Sequence, residues 1–259
     1  SLLSRNRSFG RQVVSEPTPL PQIVVGFSGG ITSARCAQWA LDNFPRERVT
    51  LLFHDTKEEH PDTYRFMREV AETLGMPIVE QSDGRLVSEV FDDEGAIANN
   101  RMAFCSRILK AEQRDIYFKG IDAPIINVLG LTKVEWQRVQ RTAMRAERAG
   151  YVCRYPCIEE GWTKQDCIDW SIQVLGVRPP AIYAWSEHAN CLGCVRGGRA
   201  YWLAVLENDP ETYAKREAQE EKFGFTIING ISLKELRTTP LKRAVNWREK
   251  FEVPCECIG

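Results

Sequence analysis

Residues 23–34 constrain the fold of this chain more than any other stretch. They read Ile-Val-Val-Gly-Phe, then Ser-Gly-Gly-Ile-Thr-Ser, then Ala, and residues 35–41 continue with helical character. An apolar, β-branched run is typical of a buried strand. The small residues after it predict a tight turn into a helix, where backbone N–H groups and the helix dipole favour an anion. The sequence therefore predicts a phosphate-binding turn at Ser28–Ser33.

Two common phosphate loops do not fit this turn. The Lys-Ser/Thr pair of the P-loop nucleoside triphosphatases is missing. Ser28 also stands where the dinucleotide-binding fingerprint requires glycine. A glycine-rich turn that binds nothing is the structural alternative.

Further apolar runs alternate with helical patterns over the first 150 residues. Residues 49–54, 78–79 and 123–130 are predicted strands, and residues 61–74 have helical spacing. This alternation predicts an α/β protein with a doubly wound, mostly parallel sheet. Ligands bind beyond the carboxyl ends of such strands, so Asp55 and Thr56, after the second strand, are expected beside the phosphate-binding turn.

The chain is expected to divide into three parts. Residues 1–21 are polar and proline-rich towards their end, which predicts a flexible tail. Residues 22–150 form the predicted nucleotide-binding α/β domain. Residues 151–259 hold seven of the nine cysteines and predict a smaller, mostly helical appendage built around a cysteine site. In a reducing compartment so many cysteines favour metal or redox chemistry over disulfides.

Composition limits the partners. The net charge is −1, from 34 basic and 35 acidic residues, so no global field attracts nucleic acid or a membrane, and a nucleic-acid site must be a local patch. No apolar run reaches the roughly 18 residues of a membrane span. With no signal-peptide pattern either, a cytoplasmic location is expected.

Two cysteine segments can supply metal ligands. Cys191 and Cys194 form a C-x-x-C pair, which places two sulfurs on one zinc or iron–sulfur centre but can also be redox-active. Cys105, Arg107 and Lys110 can converge on an anion if their segment opens a helix. A buried cysteine beside two surface cations is the alternative. The residues expected to be structural are Cys36, Cys153, Cys157, Cys167, His54, His60 and His188.

Four arginines follow at steps of three, four and three: Arg138, Arg141, Arg145 and Arg148. This spacing places them on one face of a helix. A solvated face and a stripe that contacts a phosphate backbone both fit the pattern.

The segment Ser28–Ser33 resembles the SGGxxS loop (PP-loop) of the N-type ATP pyrophosphatases and the phosphoadenylyl-sulfate (PAPS) reductases. The chain is most similar to the PAPS-reductase-like proteins of phages and bacteria. The resemblance implies the Rossmann-like adenine nucleotide α-hydrolase fold, and ATP with Mg²⁺, or another adenine nucleotide such as PAPS, as ligand. It implies catalytic roles for Ser28 and Ser33, and nucleotide binding by Ser28, Gly29, Gly30, Thr32 and Ser33.

Later segments look like the same superfamily. Asp55 and Thr56 open a stretch similar to its D-T-G-x-E-x-P segment, with Lys57 in place of glycine, which implies nucleotide binding by both. Residues 129–138 are similar to an element that lines the adenylyl pocket, which implies the same for Gly130, Glu135 and Arg138. The segment 104–110 looks like its Cys-Cys-x-x-x-Lys element, which implies catalytic roles for Arg107 and Lys110.

The cysteine block is also similar. Residues 188–202 resemble the family's H-x-N-C…C-V-K-x-G-x-x-x-W pattern, with Arg196 in place of lysine. Since Phe104 replaces the first cysteine of the paired motif, either the C-terminal tail supplies the missing ligand or one position stays open for sulfur. The implied ligands of a [4Fe–4S] cluster, or of zinc as the alternative, are Cys105, Cys191, Cys194 and either Cys255 or Cys257. Alternatively Cys257 is a nucleophile, as the C-terminal cysteine is in PAPS reductases.

These features predict ATP pyrophosphatase chemistry: adenylylation of a substrate, then iron–sulfur-dependent sulfur transfer from a sulfur donor, with DNA or tRNA as acceptor. One alternative is PAPS or APS reduction, with thioredoxin resolving the product. Another is a non-catalytic nucleotide sensor with a structural metal site. Homodimer formation is left open.

Overall fold

The computed structural model describes residues 19–239. Its sheet has five parallel strands: β1 Gln22–Gly26, β2 Val49–His54, β3 Ile78–Gln81, β4 Ile125–Val128 and β5 Val152–Arg154. Their order across the sheet is β3-β2-β1-β4-β5. The predicted doubly wound, Rossmann-like α/β fold is therefore confirmed. Residues 1–18 of the expected tail, and residues 240–259 with Cys255 and Cys257, lie outside the described range.

Helices surround the sheet and form the C-terminal region. They are α1 Ile31–Asn43, α2 Pro61–Leu74, α3 Val87–Glu94, α4 Phe104–Ser106, α5 Gln113–Lys119, α6 Trp136–Ala149, α7 Pro156–Glu159, α8 Lys164–Trp170, α9 Arg199–Asn208, α10 Pro210–Phe223 and α11 Leu233–Arg237. A π-helical segment at residues 107–112 joins α4 to α5. No helix of residues 19–239 is long and apolar enough to cross a membrane.

Both faces of the sheet are covered, which explains why its strands are apolar without alternation. On one face, Ile23 and Val25 of β1 lie in a core that α1, α2, α7 and α8 share. On the other face, Val24 and Leu52 pack against Phe118 of α5. The side chains of the central strands are therefore buried on both faces of the sheet, and only the ends of these strands can reach solvent or a ligand.

The strand order of the parallel sheet has a topological switch point between β1 and β4. β2 and β3 extend the sheet on one side of β1, whereas β4 and β5 extend it on the other. The loops that follow β1 and β4 therefore diverge and open a crevice, which is where ligands bind in doubly wound sheets.

The C-terminal helices have a core of their own. Trp202 of α9, Tyr213 of α10 and Phe91 of α3 are fully buried there. Cys105 of α4 belongs to the same core and is also buried. This core attaches the C-terminal region to the segment that carries Cys105. The fifth strand follows the domain boundary expected at residue 150, so the sheet continues past that point.

Candidate nucleotide site and cysteine cavity

The turn between β1 and α1 has a conformation that its small residues make possible. Gly29 takes φ +77°, and a Cβ there would lie 2.4 Å from Thr63 Cγ2, so only glycine fits. α1 begins after Gly30, which supplies no side-chain cap to the helix. Backbone N–H groups at such a helix start favour an anion.

Hydroxyl groups fix the shape of this turn. Ser33 Oγ donates to the Gly30 carbonyl at 2.7 Å, and Ser28 Oγ donates to Ser33 Oγ at 3.4 Å. Tyr183 Oη accepts from the Ile31 N–H at 3.0 Å, which connects the start of α1 to the C-terminal half of the chain. The turn is therefore held in one arrangement before any ligand binds.

The loop after β4 touches the same turn. A Cβ at Gly130 would lie 2.7 Å from the Ser33 nitrogen and 2.8 Å from the Thr32 carbonyl carbon. Backbone atoms cannot give way as a side chain can, so this close approach requires glycine. Gly130 thereby closes one side of the crevice between β1 and β4.

A first cavity of about 650 Å³ opens at this crevice. Of the residues expected to bind nucleotide, its lining includes Ser28, Gly30, Thr32, Ser33, Gly130, Glu135 and Arg138. Its lining also includes His54, whose side chain was expected to be structural. Burial, and then the nearby Lys110 and Arg114, lower the pKa of His54 to about 4, so its imidazole is neutral at pH 7.

Asp55 and Thr56 do not line this cavity. Asp55 Oδ1 accepts from Tyr64 Oη at 2.6 Å and from the Lys57 N–H at 2.8 Å, so it shapes the loop after β2. Thr56 faces a second cavity instead. The structure thus separates this pair from the phosphate-binding turn, although all of them follow strands that are neighbours in the sheet.

The second cavity, of about 760 Å³, adjoins the first. The side chains on their common wall include Ser106, Lys110, Arg114, Glu135 and Arg138. Cys105, Cys191 and Cys194 all line the second cavity, so the structure brings the two predicted cysteine segments to one place. A group bound in the first cavity and a group bound in the second can therefore approach each other beside Lys110.

Glu59 connects Lys110 with the cysteines, and the sequence reasoning did not single it out. Its side chain is 1% exposed, and its Oε1 atom lies 3.0 Å from Lys110 Nζ and 3.4 Å from Cys191 Sγ. Thr56 Oγ1 also contacts Cys191 Sγ, at 3.2 Å. Glu59 Oε2 has no hydrogen-bond partner among the described residues. The only signal for Glu59 was its place in the D-T-G-x-E-x-P-like stretch.

The ionisation of these groups follows from burial and charge. Burial alone would lower the pKa of Lys110, but the Glu59 carboxylate that accepts its hydrogen bond raises that pKa, so its ammonium stays charged. Burial raises the pKa of Cys105 to about 11 and also raises those of Cys191 and Cys194. These three sulfurs are therefore neutral thiols at pH 7 unless a cation stabilises the thiolates.

The C-x-x-C turn is held in place by a buried ion pair. Arg216 of α10 is 1% exposed, pairs with Glu58 and donates from Nε to the Gly193 carbonyl at 3.4 Å. The Leu192 N–H donates to the Glu58 carbonyl at 2.7 Å. Nothing in the sequence distinguished Arg216 from the other cations of its polar helix.

The thiols of Cys105, Cys191 and Cys194 have the chemistry that a soft metal requires, since cysteine sulfur is the usual ligand of zinc and of iron–sulfur clusters. Within residues 19–239, however, no three His, Cys, Asp or Glu side chains are arranged to hold a metal ion. The expected fourth ligand, Cys255 or Cys257, lies outside the described residues.

The arginine stripe faces the second cavity in part. Arg138, Arg141 and Arg145 line it, as do Arg107 and Arg196, whereas Arg148 does not. Arg138 pairs with Glu135 at 2.9 Å, Arg145 pairs with Asp115, and Arg107 pairs with Glu112. The lining of the second cavity is rich in cations despite these pairs.

A comparison with protein families agrees with this architecture. A family model described as phosphoadenosine phosphosulfate reductase domain matches residues 22–152, just over half of the chain. The match extends from β1 to the start of β5 and includes the phosphate-binding turn, Cys105 and Lys110. No curated protein matches the chain.

Proposed function

The chain belongs to the phosphoadenosine phosphosulfate reductase domain family, within the PP-loop superfamily of adenine-nucleotide-binding enzymes, and from that premise we propose that it activates a substrate by adenylylation. The observation that carries the proposal is the junction of the two cavities. The first adjoins the phosphate-binding turn, the second contains three cysteines, and Lys110 lies on their common wall.

In the proposed complex the first cavity holds ATP. The start of α1 and the hydroxyls of Ser28 and Ser33 bind the pyrophosphate portion, and Gly130 lets the loop after β4 pack directly against this turn. Mg²⁺ that accompanies ATP supplies charge neutralisation on the phosphates. Glu135 and Arg138 contact the adenylyl part on the common wall.

The proposed reaction occurs across that wall. An oxygen of the substrate attacks the α-phosphorus, the bond to the β-phosphate oxygen breaks, and pyrophosphate leaves. Lys110, which stays protonated, stabilises the negative charge that grows on the α-phosphate. Arg107, at the second cavity, binds the incoming substrate.

Sulfur transfer would complete the proposed cycle. A hydrosulfide equivalent from a separate sulfur donor attacks the activated carbon, and AMP leaves with the oxygen. Cys105, Cys191 and Cys194 would hold a [4Fe–4S] cluster together with Cys255 or Cys257, or zinc instead. Such a cluster, when bound, supplies a site for labile sulfur.

The proposed acceptor is a nucleic acid, either DNA or tRNA. Arg138, Arg141 and Arg145 lie around the opening of the second cavity, where they can pair with backbone phosphates. In that case affinity for a short RNA or DNA falls as salt rises, and Arg141→Glu with Arg145→Glu reduces the slope. Arg148→Glu is the matched control, since Arg148 is on the same helix outside the cavity. Binding that ignores both salt and the double variant would contradict a nucleic-acid acceptor.

The family description itself favours a second candidate, PAPS or APS reduction. There Cys257 attacks the sulfonyl sulfur, the adenosine phosphate leaves, and thioredoxin cleaves the resulting thiosulfonate to release sulfite. This reaction needs the first cavity for the nucleotide but releases no pyrophosphate.

One set of assays separates these functions. The anaerobically purified chain is incubated with ATP, Mg²⁺ and candidate nucleic acids, and pyrophosphate is measured; in parallel, PAPS or APS with thioredoxin is assayed for sulfite. Pyrophosphate release that is lost in Ser28→Ala and kept in Thr73→Ala, an exposed control, supports adenylylation. Sulfite release without pyrophosphate supports reduction. Nucleotide binding with neither product indicates a nucleotide sensor.

A further inference from the structure

Three cysteines outside the two cavities meet in the core of the sheet domain. They are Cys36 of α1, Cys157 of α7 and Cys167 of α8, and each is 0% exposed. Cys36 Sγ lies 3.7 Å from Cys157 Sγ, and Cys167 packs in the same core, close enough to Cys157 to shift its pKa. Cys157 is therefore the central sulfur of the three. Neither the phosphate-binding turn nor the Cys191–Cys194 turn uses any of them.

We propose that Cys36 and Cys157 are a modification site, a reversible disulfide pair, with Cys167 as the third thiol that can exchange into the bond. A disulfide requires the two sulfurs to close from 3.7 Å to about 2 Å, a movement that small shifts of α1 and α7 can supply. The neighbouring Cys167 and Cys36 thiols lower the pKa of Cys157, which favours a thiolate at the central position.

The oxidant is a small peroxide such as hydrogen peroxide, which can enter a packed core more readily than a protein can. The Cys157 thiolate attacks one peroxide oxygen, the O–O bond breaks, and Cys157 becomes a sulfenic acid; the hydroxide that leaves takes up the proton lost by the Cys157 thiol and departs as the first water. The Cys36 thiol then attacks the Cys157 sulfur, the S–O bond breaks, and the second water leaves. Two thiols are oxidised and one peroxide is reduced to two waters.

The bond can then move. The Cys167 thiol gives up its proton as it attacks Cys157 Sγ, the bond to Cys36 breaks, and Cys36 takes up that proton. No further oxidant is needed for this step. A small dithiol reverses either disulfide by the same exchange chemistry.

The position of the trio connects its redox state to the first cavity. Residues 161–164, between Cys157 and Cys167 in the chain, line that cavity, and α1 begins at the phosphate-binding turn. Lys164 Nζ lies 4.3 Å from the ring centre of Tyr183, whose hydroxyl binds the first N–H of α1. A bond between Cys36 and Cys157 therefore pulls on two walls of the cavity at once.

The test oxidises the native, full-length chain with hydrogen peroxide, traps free thiols by alkylation and maps disulfides by peptide mass spectrometry. We expect a Cys36–Cys157 link that a dithiol removes. Cys36→Ala should transfer the link to Cys157–Cys167, and Cys157→Ala should abolish both. Cys153→Ser is the matched control, because this half-buried cysteine lies apart from the trio, and it should leave the link intact.

Hydrogen exchange provides the second measurement and needs no nucleotide, so it is independent of the proposed function. Exchange over residues 158–166 should become faster in the oxidised chain and stay unchanged in peroxide-treated Cys157→Ala. If Cys157→Ala does not fold, Cys36→Ala serves in its place, with the link expected at Cys167. Three results would overturn the proposal: a native chain whose trio stays reduced, links that form only after unfolding in urea, or a complete link with unchanged exchange.

Discussion

Lys110 Nζ lies 3.0 Å from Glu59 Oε1, on the wall that separates the two cavities. The carboxylate is almost completely buried and its other oxygen has no partner among the described residues. A charged lysine next to such a carboxylate compensates part of its desolvation. Glu59 thus holds the Lys110 ammonium in place between the phosphate-binding turn and the cysteines.

Lys110→Met is expected to lower pyrophosphate release by about 100-fold, the usual effect of removing one electrostatic contact to the transition state. It also leaves Glu59 unpaired, which destabilises the fold by about 3 kcal/mol. Adding Glu59→Gln removes the unpaired charge and should restore most of that stability without restoring turnover. Steady-state kinetics and urea unfolding of both variants distinguish the two effects. Recovery of turnover in the double variant would mean that Lys110 only supports the structure.

Two adjacent glycines should respond differently to alanine. Gly29→Ala meets Thr63 Cγ2 at 2.4 Å with φ at +77°, so we expect a clear loss of unfolding free energy, about 2 kcal/mol or more. Gly30 has ordinary φ, and an added Cβ is 3.5 Å from its nearest neighbour, so Gly30→Ala should fold normally. Its methyl group faces the first cavity and should weaken ATP binding, measured by calorimetry. Tight ATP binding by a well-folded Gly30→Ala variant would place the phosphates elsewhere.

Glu58 has two cationic partners with different burial, which gives a matched stability test. Arg216 is 1% exposed, whereas Lys215, 3.0 Å from Glu58, is 46% exposed. Arg216→Met should cost about 3 kcal/mol, because it breaks a buried pair and frees the Gly193 carbonyl. Lys215→Met should cost less than about 1 kcal/mol. Denaturant unfolding measures both, and equal losses would show that the burial of Arg216 contributes nothing.

The sequence pattern predicted the parts of the fold that depend on local chemistry. The run 22–26, the small turn at Ser28–Ser33 and the helix after it can be predicted because strand, turn and helix each have their own signal over a few residues. The parallel sheet followed from their alternation with later segments. The family resemblance added the prediction that Cys105 and the Cys191–Cys194 pair share one centre, and in the structure all three cysteines line the second cavity.

Features that depend on tertiary contacts could not be predicted in the same way. Thr56 and the phosphate-binding turn both follow central strands, yet Thr56 faces the cysteines, because the direction of a side chain in a loop depends on what packs against it. Arg216 is one of several cations on α10. Its role in holding the C-x-x-C turn depends on its tertiary contacts with Glu58 and the Gly193 carbonyl, which the sequence does not show. Cys36, Cys157 and Cys167 each fit a core, and their meeting depends on how α1, α7 and α8 pack.

The cysteine cavity yields a metal prediction with an internal control. If Cys105, Cys191 and Cys194 share one centre, anaerobically purified protein contains iron with labile sulfide, or zinc, and Cys105→Ser loses it as fully as Cys191→Ser does. The physical reason is that burial raises the pKa of all three thiols, so only a bound cation makes the thiolates stable at pH 7. Cys153→Ser, on β5 and not part of the lining of the cavity, should keep the full metal content.

Cys255→Ser and Cys257→Ser then identify the fourth ligand. Loss of metal in one of them assigns that cysteine to the centre, whereas loss in neither leaves three ligands and an open position that suits labile sulfur. Elemental analysis with absorption spectra of the five variants provides the measurement. If Cys105→Ser retains full metal while Cys191→Ser loses it, the two segments do not share a centre, and Cys105 lines the cavity only as a buried thiol.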